Sequence, residues 1–137
     1  MKQVLALVLC VSVLIMGQSV LERWEKLHDI CQADPATFVD ESIFKKIKDN
    51  ETNVELPPNF GAHVFCMTVN LNIQDPNGKF NKEVTAKLIG EVVKDQAKVN
   101  KVVNECAVNK PNKDDAAVAF LQCLDRNNVD IGQRETY

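Results

Sequence analysis

The sequence predicts an all-α fold: one compact domain of six helices stapled by two disulfides. Three observations carry that prediction. Apolar residues recur at spacings of three and four through most of the chain. The breaks fall at Pro, Gly and Asn clusters, and no stretch sustains strand alternation. Cys31, Cys66, Cys106 and Cys123 stand behind an apolar leader, an even set in a chain marked for an oxidising compartment.

The leader reads as a signal peptide spanning residues 1–19. Lys2 supplies the positive end, and Val4 to Met16 is the apolar core. Gly17-Gln18-Ser19 then offers small residues, with cleavage expected after Gly17 or after Ser19. The run falls short of the roughly 20 residues that a spanning helix needs, so no membrane insertion is expected. The fifth cysteine, Cys10, leaves with the leader. What remains, residues 20–137, is one domain of about 118 residues. A net charge of −3 argues against nucleic acid and anionic membranes as partners.

The first helix is expected from Val20 to Gln32, introduced by the capping box Ser19/Glu22, with Leu21, Trp24, Leu27, His28 and Cys31 on one face. Asp34-Pro35, a cap followed by proline, predicts a second helix running to Asp49, with Phe38, Val39, Ile43, Phe44 and Ile47 apolar. Asn50 to Pro58 is a loop. The third helix, Asn59 to Ile73, is apolar on two sides and so predicted to lie between neighbours. Asp75-Pro76-Asn77-Gly78 is a turn; read as a calcium loop, it would put Ile73 and Val84 at ligand positions, which neither can fill. Helices follow over Asn81–Lys94, Asp95–Val108 and, capped by Asn112, Lys113–Arg126.

Four cysteines allow three pairings, and spacing does not choose among them. Cys106 and Cys123 flank one helix–turn–helix; a Cys31–Cys66 bridge would tie the first helix to the third. No cysteine pair has zinc-finger spacing and only two histidines occur, so no metal and no cofactor are expected. His28 and His63 suit either a pH-sensitive gate or, more simply, partly buried histidines with ordinary partners. Asn50-Glu51-Thr52 satisfies the N-glycosylation sequon, though a plain polar loop is the simpler account. No nucleophile motif or zincin helix is present, and the chain does not read as an enzyme. The apolar helix faces fill a core or line a cavity, and periodicity does not separate these.

The cysteine register carries a resemblance. The chain is similar across its mature length to the insect pheromone- and general-odorant-binding proteins, exported six-helix proteins that enclose an apolar pocket. In the six-cysteine form, three residues separate the second and third cysteines and eight separate the fifth and sixth. Aligning on Cys66 and Cys123 puts Ala62 and Asp114 where the second and fifth should stand. Those two are partners in the family, so their joint loss leaves no orphan thiol and marks a four-cysteine "minus-C" member. The resemblance implies the pairings Cys31–Cys66 and Cys106–Cys123. The D-P-N-G turn after Cys66 and the N-E-C-A segment at Cys106 are further similarities.

The resulting expectation is a secreted carrier for small hydrophobic ligands such as odorants or pheromones, acting as a monomer or weak homodimer and delivering to a membrane receptor. The expected wall comprises Phe60, Val64, Met67, Leu71, Val84, Leu88, Val92, Val103, Phe120 and Leu124, with Tyr137 offering a hydroxyl from a tail that also contains Val129 and Ile131 and that either folds over the pocket or is disordered. The alternative is a secreted helical signalling ligand, cytokine-like, with a solid core and a working surface. Its scattered surface charge disfavours that reading.

Overall fold

The structure, a computed structural model, describes residues 18–136. Residues 1–17 of the leader and Tyr137 lie outside the described residues. Six helices of 8 to 14 residues account for most of what is described: α1 (Val20–Ala33), α2 (Glu41–Lys48), α3 (Phe60–Asn70), α4 (Lys82–Val92), α5 (Gln96–Cys106) and α6 (Lys113–Arg126). A single helical turn, α7 (Gln133–Thr136), ends the chain. Among the described residues there is no strand, only an antiparallel bridge between Gln74 and Phe80.

Most helices begin where a short polar side chain takes up a free N–H. Ser19, Asn81 and Asn112 accept from Glu22, Val84 and the pair Asp114 and Asp115, and Asp95 accepts from Ala97. Their ends are built with equal regularity. Asn50, Asn72 and Asn128 all sit in the left-handed region, at φ 55, 61 and 56. After each, the next N–H reaches back five residues: Glu51 to Lys46, Ile73 to Thr68, and Val129 to Leu124. These are Schellman turns with asparagine in the position glycine usually takes.

The second helix starts later than the sequence predicts. Asp34-Pro35 makes only a turn, and the cap is Asp40, whose carboxyl is held below its usual range by hydrogen bonds from Ser42. The cause is a neighbour that claims the intervening backbone. Gln32 accepts from the Val39 N–H at 2.9 Å and donates to the Val39 carbonyl at 2.6 Å, while Thr37 donates to the Cys31 carbonyl. Held this way, residues 37–39 stay out of the helix, and Phe38 is turned outward at 49% exposure. Leu21 is likewise exposed, contrary to its expected inward face. The third helix stops at Asn70, short of Ile73, because Asn72 turns the chain there.

The core is one cluster running from Trp24 and Phe44 through Met67 to Phe120 and Leu124. Helix α3 packs mainly on α6 and α1, α4 on α5, and α5 on α6. Phe65 on the flank of α3 is only half-buried, with the Lys113 ammonium 4.7 Å over its ring, so α3 is less enclosed than its apolarity predicts. The D-P-N-G turn is fastened to α6. Asp75 accepts from Asn77 and Lys79, Gly78 adopts φ +91, and a methyl there would lie 2.4 Å from Lys113 Cβ. The disulfides are Cys31–Cys66, joining α1 to α3, and Cys106–Cys123, joining α5 to α6. With partners 35 and 17 positions apart in sequence, loop-entropy arguments assign these closures about 4 and about 3 kcal/mol.

Candidate ligand-binding groove

A groove of about 760 Å³ opens between α2 with its closing turn, the segment that follows, α3, α6 and the tail. Its floor is apolar: Ile47 from α2, Val54 and Leu56 from the loop, Phe60 and Val64 from α3, and Val118 and Leu121 from α6. Lys48, Asn50, Glu51, Gln122, Asp125, Gln133 and Arg134 complete it, and all but Gln133 are exposed, so the groove meets solvent along a polar rim. A second depression of about 530 Å³ shares Leu56, Phe60, Val118 and Gln122 with the first. Leu56 therefore stands between two hollows on the same face. The second hollow is also lined by Gly61 and Asp114, where a methyl added to Gly61 would lie 3.0 Å from Asp114 Cβ.

The tail is part of the wall. Val129 and Ile131 are buried, and Gly132 packs so close to Trp24 that a methyl would lie 2.4 Å from its Cβ. Gln133, only 2% exposed, donates to Asp125 Oδ1 at 3.0 Å and to the Val129 carbonyl at 2.7 Å, and accepts from the Ile131 N–H. Three satisfied bonds at a buried amide contribute on the order of 1 kcal/mol each. Arg134 adds a contact to Asp125 at 3.5 Å, half-exposed and so worth little by itself.

Behind the floor lies a buried ring cluster of His28, Phe44, Phe60 and His63, with centroids 4.9 to 6.0 Å apart. His63 Nδ1 donates to the Thr37 carbonyl at 2.8 Å, and His28 Nε2 to Glu41 at 3.1 Å. Burial, with a smaller contribution from the nearby His28, lowers the His63 pKa to about 4; the Thr37 carbonyl and Glu41 oppose this only partly. His63 is therefore a neutral core histidine at physiological pH, with an ordinary backbone partner.

Of the expected wall residues, Phe60 and Val64 line the groove. Met67, Leu71, Leu88, Val103, Phe120 and Leu124 are buried in the core, and Val84 and Val92 are half-buried against it. Tyr137 lies outside the described residues. Sequence reading missed the α6 stripe Val118, Leu121, Gln122, Asp125, although its spacing of three and four was a usable signal. The loop and tail contributions carry no periodic signal at all.

A family model described as the PBP/GOBP family matches residues 17–127. The chain belongs to the PBP/GOBP family. These are the insect odorant- and pheromone-binding proteins. Comparison with curated proteins gives no match, and neither does comparison with solved structures. The PBP/GOBP match takes in all four paired cysteines and stops at Asn127, the C-cap of α6. The tail that contributes Gln133 and Arg134 to the groove thus lies beyond the matched PBP/GOBP span.

Proposed function

We propose that this chain is a secreted carrier that binds small hydrophobic molecules reversibly in the groove. The observation that carries the reading is an apolar floor of Phe60, Val64, Val118 and Leu121 beneath a polar rim, in a member of a family of ligand-binding proteins. Secretion is supported by the two disulfides, which suit an oxidising compartment. A ligand hiding about 400 Å² of apolar surface gains on the order of 10 kcal/mol before ordering costs, which leaves room for micromolar affinity. In this reading the buried members of the expected wall support the floor from behind.

The test uses N-phenyl-1-naphthylamine, an apolar dye that fluoresces on leaving water. The wild-type chain saturates it at micromolar concentration. Val118→Trp fills the ground shared by the two hollows and weakens binding by about tenfold, equivalent to about 1.4 kcal/mol, while the fold still melts cooperatively. No saturation by the wild type would remove the carrier reading; undiminished binding in V118W would move the site elsewhere.

A further inference from the structure

The turn that closes α2 holds chemistry that ligand carriage leaves unused. Asn50 is the left-handed residue of that turn, its N–H donating to Ile47 and the Glu51 N–H to Lys46, both at 3.0 Å. Asn50, Glu51 and Thr52 are all exposed and together spell Asn-X-Thr with X not proline. A glycosyltransferase needs its asparagine on accessible backbone outside a helix, and α2 has just ended at Lys48. Asn50 and Glu51 also lie on the rim of the 760 Å³ groove.

We infer that Asn50 is an N-glycan acceptor and that its glycan stands over the mouth of the groove. The reaction is a transfer from a lipid-pyrophosphate-linked oligosaccharide. Asn50 Nδ2 forms the bond to the sugar C1, the C1–phosphate bond breaks, the lipid pyrophosphate leaves with its electron pair, and the amide gives up one proton to the transferase. The attached sugar is bulky and hydrated. Fixed to a rim residue, it screens the approach to the floor without altering it. The acceptor assignment is independent of what the groove binds; the screening of ligand rests on the carrier reading above.

The full chain is secreted from insect cells, and its intact mass is taken before and after treatment with a peptide N-glycosidase. A sugar mass that disappears on treatment, leaving aspartate at position 50, is the expected result. Thr52→Ala lacks that mass and Thr52→Ser keeps it; Thr52 does not line the groove, so neither variant touches the floor. A secreted wild-type chain whose mass is unchanged by the glycosidase overturns the assignment. Screening is read in two ways. Association of N-phenyl-1-naphthylamine is slower in the glycosylated chain by roughly threefold or more than in the enzymatically stripped chain. Acylation of Lys48, which shares the rim, is slowed likewise and needs no ligand. If the dye binds neither form, the carrier reading fails while the Lys48 rates still decide the screening. Equal Lys48 rates in the two forms overturn it.

Discussion

At the scale of single residues, His63 makes the most specific prediction. Its pKa falls from 6.5 to about 4 on folding, so between those values the unfolded chain binds more protons than the folded one. The stability that neutral His63 provides is whole above pH 6.5 and is lost as pH falls toward 4, at most about 3 kcal/mol. Thermal unfolding measured across that window should show a falling midpoint, and His63→Gln should flatten part of the fall. Parallel curves for the two proteins would show that His63 is not responsible. Ser19 and Asn112 were legible as caps because their chemistry is local, each acting within three residues of itself, whereas Asn81 and Asp95 were read as the first helical residues and are the caps. Asn50 was read as the first loop residue after the second helix, but the left-handed conformations of Asn50, Asn72 and Asn128 were not anticipated, since asparagine enters that region only when its surroundings demand it.

Helices were legible wherever local and tertiary demands agree, as in α6, whose limits the sequence predicts to the residue. They failed to agree at α2. There a proline-led start is outcompeted by the Gln32 side chain and the Cys31 carbonyl, partners that only the folded α1 presents. Between α3 and α6 the same kind of interaction bears on function. The cysteine register places the missing bridge at Ala62 and Asp114, and Gly61 already brings the two helices together beside Asp114. We expect Ala62→Cys with Asp114→Cys to form that bridge, to raise the melting temperature, and to narrow the range of dyes bound. Thiol titration and a panel of dyes check this. Persistent free thiols would show that the inferred register is wrong, and position 61 is then the alternative partner for 114. A bridge that leaves melting and dye range unchanged would show that the missing link does not govern the groove.

For the whole molecule, fold class and disulfides were legible but the groove was not. Six amphipathic periods and four cysteines constrain how helices stack. The groove is instead assembled from what lies between and after them: the loop that carries Val54 and Leu56, and the tail. Truncation after Asp130 tests the tail. It removes Ile131, fully buried and so worth roughly 2–3 kcal/mol, together with the Gln133 bonds. The melting temperature should fall by about 10 °C and N-phenyl-1-naphthylamine affinity should weaken with it. A truncated chain that melts and binds like the intact one would show that the tail is no wall.

The placement of the two disulfides has a mechanical consequence. Residues 31 to 66 form a covalent ring that contains α2, the Asn50 turn, Leu56, Phe60 and Val64. The facing side, Val118 to Asp125, belongs to a second ring-bearing unit closed at Cys106 and Cys123. Among the described residues no disulfide spans the gap between the two; a bridge from 62 to 114 would have been one. Each jaw is thus closed by its own disulfide, while the two are held together by the intervening chain and by non-covalent contacts. Widening the gap would break neither disulfide, since each lies within one jaw.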